Sequence, residues 1–254
     1  MVVEAIPKVT GMIYAIVSFF ILVYLLYKDK FNKKVGYLFI TISTIMGFLV
    51  FAPMFPNQFQ LLILGKIGHG IQSQIAIVGF LLFIILTFVF GRIFCGYLCP
   101  IGAIQELIYY TPIKKLKITN KTLPITVHSL FFVIFLFLGF IFSIGILTYL
   151  GFRDFFHLNI TSPFFYVFLT LLIVSIFIYR PFCRFFCPYG MLLSLASIKS
   201  VFKLQRNDSC IDCKKCERIC PTNEAGRGDL KQECYLCNRC KDACPVKAIE
   251  YSRK

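Results

Sequence analysis

The sequence predicts an α-helical polytopic membrane protein of about five transmembrane helices, closed at its carboxyl end by a small, cysteine-rich α+β domain. Three observations carry this. Of 254 residues, 58% are hydrophobic and thirty are Phe, and the mean hydropathy of +0.77 lies far from soluble norms. The apolar residues form long runs before about Leu204 and almost vanish afterwards. All twelve cysteines fall in four short motifs, two among the apolar runs and two in the polar tail. Residues 1–200 are therefore expected to form the membrane domain and residues 201–254 the tail domain.

Crossing a hydrocarbon core of about 30 Å takes roughly twenty mostly apolar helical residues, because lipid offers no partner to an unpaired peptide group. Five segments are candidates, approximately 9–27, 35–52, 71–90, 124–150 and 163–179. The second is the weakest, being short and holding Gly47 and several hydroxyl residues. The first does not read as a signal peptide: Glu4 and Lys8 precede it, lysines follow it, and no A-x-A appears. An uncleaved anchor with its amino end outside is expected.

Alternating five spans from that start places Lys28, Lys30, Lys33 and Lys34, then Arg92 with Lys114, Lys115, Lys117 and Lys121, then Arg180 and Arg184, on the inner side. The outer segments hold Lys8, Lys66 and Arg153. This is the positive-inside pattern. It accounts for the formal charge of +15 by position, without a nucleic-acid surface, and leaves membrane lipid as the expected partner. The expected location is the cytoplasmic membrane, multi-pass, with the tail and every cysteine on the cytoplasmic side, where thiols stay reduced.

The tail carries C-x2-C-x2-C-x3-C-P twice, over residues 210–221 and 234–245. Three cysteines at intervals of three wrap one four-iron cube, and the fourth ligand comes from the other half. One [4Fe-4S] cluster is thus expected on Cys210, Cys213, Cys216 and Cys244, and a second on Cys234, Cys237, Cys240 and Cys220. Structural zinc fits poorly, since it leaves the third cysteine and the trailing Cys-Pro of each motif unexplained. The tail resembles the two-cluster bacterial ferredoxins over about residues 201–253, down to the closing Cys-Pro-Val-Lys-Ala-Ile-Glu-Tyr. It departs from them after Pro221, where Thr-Asn-Glu-Ala-Gly-Arg-Gly lacks the apolar pair that follows Pro245, so the strand expected there is distorted.

An internal repeat lies in the apolar part: Gly-Arg-Ile-Phe-Cys-Gly-Tyr-Leu-Cys-Pro-Ile-Gly from Gly91 matches Tyr-Arg-Pro-Phe-Cys-Arg-Phe-Phe-Cys-Pro-Tyr-Gly from Tyr179. Each C-x3-C-P closes an inner helix end and opens a short apolar-periodic helix expected to lie along the inner surface. A cysteine just before a helix-opening proline sits near the positive end of the helix, which favours thiolate. Cys95, Cys99, Cys183 and Cys187 are therefore candidates for a third metal site, of iron–sulfur or copper type; the plain alternative is small residues packing helix ends.

Apolar helices, two C-x3-C-P motifs and a terminal pair of ferredoxin motifs together resemble the NapH-type polyferredoxins of quinol dehydrogenase systems, and are similar to the membrane parts of the NosR and CcoG proteins. The resemblance implies an electron-transfer subunit of a quinol dehydrogenase-type oxidoreductase, working between the quinone pool or a soluble donor and a partner redox protein. The likeness to CcoG implies a rival role, copper reduction or assembly at the C-x3-C-P thiolates. The sequence departs from NosR in the large outer flavin-binding domain, so electron entry by that route is not expected. No catalytic carboxylate pair, nucleophile constellation or phosphate-cradling glycine loop is present, so no catalytic residue is assigned. Arg92 and Arg180 read as snorkelling anchors at helix ends, His69, His128 and His157 as polar interface residues, and Arg153 with Asp154 as a surface ion pair.

Overall fold

The computed structural model describes residues 2–52, 54–66 and 71–253. Each expected apolar segment contains a helix: α1 (Val2–Tyr27), α2 (Lys33–Val50), α3 (Phe55–Ile63), α4 (Ile71–Phe90), α5 (Pro100–Tyr109), α6 (Thr122–Phe142), α7 (Ile146–Tyr149), α8 (Phe152–Phe156), α9 (Pro163–Phe177) and α10 (Pro188–Ile198) follow in order. Among the described residues three stretches are long and apolar enough to cross a membrane, Val9–Tyr27, Lys33–Val50 and Thr122–Phe142. The chain is a membrane protein. Exposed Ile13, Phe20, Val78, Ile85, Val133 and Phe137 give the bundle an apolar outer surface suited to lipid.

The second segment, the weakest by composition, is long enough for a full span, and Gly36, Ser43 and Gly47 on it are buried. The fourth stops short of its expected end. Ser143 adopts a left-handed conformation (φ 52°) after Phe142, and the chain turns into α7. Buried Gln60 of α3 holds that turn, accepting from Leu147 N at 2.7 Å and donating to Thr148 at 3.1 Å. The fifth, α9, has 15 residues, and at about 1.5 Å per residue it reaches roughly 22 Å, short of a full hydrocarbon core.

The tail begins with β1 (Phe202–Arg206), which pairs antiparallel with β2 (Ile249–Arg253), Leu204 opposite Tyr251. Between them lie α11 (Lys215–Ile219) and α12 (Arg239–Asp242). After Pro221 the described residues form no strand up to β2. A polar loop takes its place, with Glu224 accepting from Lys231 N at 2.7 Å and Asp229 from Gly226 N at 2.5 Å.

The expected separate domain is instead built into the helical part. The carbonyls of Gln232 and Leu236 in the loop before α12 have no strand partner, so they need donors from elsewhere. Membrane-part side chains supply them: Arg92 donates to Gln232 O at 3.1 Å, Ser197 to Gln232 O at 2.9 Å, and Tyr97 to Leu236 O at 2.9 Å. Arg184 and Glu233 form a buried ion pair at 2.8 Å. Basic connections hold the rim: Lys117 donates to Glu217 O and Arg218 O, and Lys121 and Lys33 pair with Asp229 and Asp242. The tail therefore sits on the same end of the bundle as the connections that follow α1 and α5.

Candidate functional site

Both copies of the C-x3-C-P repeat fold alike. Residues Phe94–Leu98 form one π turn, Cys99 is extended (φ −72°, ψ 119°), and Pro100 opens α5. Residues Phe182–Phe186 form the second π turn, Cys187 is extended (φ −93°, ψ 103°), and Pro188 opens α10. Proline enforces this by pushing the residue before it out of the helical region while fitting the first helical position itself. One cysteine of each pair thus lies in a widened turn, a feature common at functional sites, and the other caps a helix. Cys187 Sγ accepts from Gly190 N at 3.2 Å.

The matched glycines are needed for closeness. A Cβ on Gly102 would stand 2.6 Å from Cys95 O, and one on Gly190 3.1 Å from Cys183 O. The same Cβ on Gly102 would lie 3.7 Å from Cys183 Sγ, so the two copies meet there. All four sulfurs are buried and electrostatically coupled. Burial first, and the neighbouring sulfurs second, push the Cys99 and Cys187 thiols up; burial pushes Cys183 up to about 12. Ionised together, these four sulfurs would need a cationic partner.

Around them the structure overturns several expectations. Arg92 and Arg180 do not snorkel: they are 0% and 1% exposed. Arg180 donates to Gly96 O at 2.7 Å and to Cys95 O, and Arg92 to Gly190 O at 3.2 Å, so each guanidinium is bound to backbone near the cysteines. His128, expected at an interface, is buried, with Nε2 2.8 Å from Cys187 O. His157 is exposed and stacks on Phe51, while His69 lies outside the described residues. Asp154 accepts from Ser162 Oγ at 2.7 Å in place of the expected pair with Arg153; adjacent helical residues do not face each other.

Four residues at this site were not singled out from sequence. Gln105 Nε2 lies 3.5 Å from Cys183 Sγ while its oxygen accepts from Phe182 N. Glu106 is buried between Arg180 (2.7 Å) and Arg239 of the tail. Tyr235 lies against both Arg92 and Arg180. Glu106 had a readable signal, being the one charge in the apolar stretch 93–110.

In the tail, Cys220, Cys234, Cys237 and Cys240 line one cavity with about 510 Å³ of empty space including its open mouth. They are mutually coupled, and burial pushes Cys234 up to about 12. These are the four cysteines expected to share a cluster. The other set is looser among the described contacts: Cys210 and Cys216 flank Arg206, and Cys244 Sγ accepts from Ala248 N at 3.3 Å. Among the described residues no three His, Cys, Asp or Glu side chains close on a single-ion position; the thiolates of a cubane stand on four different irons and are spread more widely.

The backbone supplies an independent test of fit. Asp212 and Lys214 flank Cys213 with φ of 48° and 57°, and Leu236 and Asn238 flank Cys237 with φ of 54° and 58°. Asn223 and Lys247, three residues beyond Cys220 and Cys244, repeat the match at 59° and 51°. Alternation into the left-handed region curls successive N–H groups into an anion-binding nest, the form found around iron–sulfur clusters. The residues present fit the group.

Apolar helices whose ends carry buried cysteines, capped by a cysteine-rich tail, define a class of membrane protein with its cysteines gathered at one end of the bundle. The model of the 4Fe-4S binding domain family matches residues 72–119 and 163–207, the two C-x3-C-P copies with the helices before them. An uncharacterized protein of Methanocaldococcus jannaschii is 32% identical over 200 residues, 74% of this chain and 81% of that one. YccM of Escherichia coli, assigned provisionally to electron transport, is 30% identical over 185 residues, 65% of this chain and 52% of its own length. The regulatory protein NosR of Pseudomonas aeruginosa is 28% identical over 207 residues, 70% of this chain and 29% of its own. No solved structure matches. The chain belongs to the 4Fe-4S binding domain family, among the membrane polyferredoxins related to YccM and NosR.

Proposed function

We propose that the chain is a membrane-bound electron-transfer protein with three iron–sulfur centres. Cys210, Cys213, Cys216 and Cys244 hold one [4Fe-4S] cluster, and Cys234, Cys237, Cys240 and Cys220 hold the second, within a ferredoxin-like α+β unit of residues 201–254. Cys95, Cys99, Cys183 and Cys187 hold the third centre, at the inner ends of the helices. The positive-inside pattern puts this end of the bundle in the cytoplasm. The chain passes electrons between the quinone pool or a soluble donor and a partner redox protein, as the electron-transfer subunit of a quinol dehydrogenase-type system. The provisional assignment of YccM to electron transport supports this reading.

One observation carries it. Buried Tyr235 links the two groups of cysteines: it follows Cys234 in the chain and lies within electrostatic range of Cys95 and Cys183. Adjacent centres suit conduction; a site for storing or delivering an ion has no need of them. Bound clusters supply one-electron exchange, and the protein sets potential and access. Here Arg92 and Arg180 place fixed positive charge beside the sulfurs, Gln105 directs an N–H at Cys183, and burial keeps water out. The guanidinium charges and the Gln105 N–H favour the reduced, more negative state, while burial opposes it, so the two together set the potential.

The test is anaerobic purification with iron counting and electron paramagnetic resonance. About twelve irons per chain are expected, falling to about eight in Cys183→Ser with loss of one reduced-state signal. The rival copper-handling role predicts about eight irons in the native chain and one copper that Cys183→Ser abolishes; that result overturns the three-centre reading.

A further inference from the structure

We propose that Tyr235 and Arg92 form the junction between the tail and membrane centres. The Tyr235 hydroxyl and Arg92 Nε donate hydrogen bonds to the sulfurs of the group held by Cys95, Cys99, Cys183 and Cys187. The Tyr235 ring, joined through backbone to Cys234, provides the shortest path between the two centres. The inference rests on the three-centre reading and assigns particular residues to its function.

Tyr235 is 2% exposed and its hydroxyl has no hydrogen-bond partner in the described structure. Arg92 is fully buried; its two terminal nitrogens are bound to Gln232 O and Gly190 O, and its Nε alone is unpaired. A buried donor without an acceptor costs about 1–3 kcal/mol, and native interiors contain few of them. Two such donors meet here, since the Arg92 guanidinium carbon sits 4.4 Å from the centroid of the Tyr235 ring. Both residues lie within electrostatic range of Cys95 and Cys183. Two acceptors stand within the same electrostatic range, the unpaired Glu233 Oε1 and the sulfur atoms of a group bound by those cysteines, and a donor bound to sulfur shifts the midpoint of that group when it is removed.

The ring is held as a fixed element. Arg180 flanks it at 4.8 Å and Tyr179 packs edge-on at 5.8 Å. Its backbone is pinned on both sides: a Cβ on Gly96 would stand 2.5 Å from Tyr235 O, and Leu236 O accepts from Tyr97. Packing alone would be served by phenylalanine, abundant in this chain, so the hydroxyl calls for a polar explanation. In the transfer itself one electron leaves one centre and one electron reaches the other. Tyr235 keeps its proton and is not oxidised.

Hydrogen bonds to cluster sulfur raise the reduction potential, and this makes the junction testable in the anaerobically purified full chain. Tyr235→Phe keeps the ring and removes only the donor. In a potentiometric titration read by electron paramagnetic resonance, the membrane centre of this variant is expected to shift down. At the wild-type midpoint its reduced-to-oxidised ratio should fall roughly tenfold, about 59 mV for a one-electron couple. The tail centres should keep their midpoints and iron should stay at the wild-type count. Arg92→Lys, which retains the charge but loses Nε, should move the same midpoint in the same direction. Tyr235→Leu should slow equilibration between the centres after rapid reduction at least tenfold more than Tyr235→Phe does. Unchanged midpoints in both Tyr235→Phe and Arg92→Lys, with the third signal present, overturn the junction alone; absence of a third signal in the native chain overturns the reading beneath it.

Discussion

Replacing Glu106 with Gln is expected to destabilise the assembled protein by about 3–5 kcal/mol, the cost of breaking a buried ion pair by removing one partner. Glu106 is 1% exposed and meets two guanidiniums: Arg180, which reaches the first C-x3-C-P turn, and Arg239, which belongs to the tail helix α12. Burial alone would raise the Glu106 carboxyl, but Arg180 and Arg239 outweigh it and hold the group below the usual carboxylate range. Arg239 is otherwise surrounded by the rings of Tyr109, Tyr110 and Tyr179 at 5.0–5.3 Å, an environment that does not neutralise it. Gln has nearly the same shape and can still hydrogen-bond, so the loss measures charge. The tail should become protease-sensitive at lower temperature, and Glu106→Asp should fall between the two. Because the folded-state value lies below the unfolded one, the carboxylate contributes fully at neutral pH and loses its contribution as pH falls through the folded value. The Gln variant should lack that acid-side dependence. Stability of Glu106→Gln within about 1 kcal/mol of wild type would remove Glu106 from its place as the link between tail and membrane helices.

Much of this fold was legible because its signals are local. Hydropathy marks the helical segments, and the two C-x3-C-P copies repeat both their residues and their backbone, since Pro100 and Pro188 impose the same geometry on the cysteine before each. The tail motifs are equally local: their left-handed positions recur at matching places around Cys213 and Cys237. What could not be read depends on partners distant in sequence. Arg92 and Arg180 look like anchors from their neighbours, yet the carbonyls that hold them lie 84 to 140 residues away. The same holds for Arg184, whose partner Glu233 is 49 residues on. The end of the fourth segment was missed for a different reason. Composition stays apolar through Leu150, so hydropathy cannot see the turn at Ser143, which is a matter of backbone conformation and of Gln60 supplying hydrogen bonds from α3. The tail is not a clearly separate domain, because the carbonyls of Gln232 and Leu236 accept from side chains of the membrane part.

Removing the iron, with a chelator under oxidising conditions, is expected to unfold the tail between β1 and β2 while the membrane helices persist. The secondary structure inside residues 207–248 is too slight to hold that segment by itself. Its helices α11 and α12 have five and four residues, far below the length at which an isolated helix is stable in water. Seven of its described non-glycine residues, Asp212, Lys214, Asn223, Lys231, Leu236, Asn238 and Lys247, occupy the left-handed region, at a cost on the order of 1 kcal/mol each. Such conformations persist where surrounding bonds over-determine them, and in Asp212, Lys214, Leu236 and Asn238 the determining neighbour is a cysteine. Metal–thiolate bonding is then folding free energy for this segment, as in other small metal-dependent units. The docked loop around Gln232 should open with it, since Arg184–Glu233 and the bonds to Gln232 O require the loop to hold its shape. Hydrogen exchange should report loss of protection over residues 207–248 with retained protection in α1, α2 and α6, and limited proteolysis should cut first in the polar loop after Pro221. Equal protection in iron-loaded and iron-free protein would mean that the tail folds on its own contacts and that its cysteines are not what shapes it.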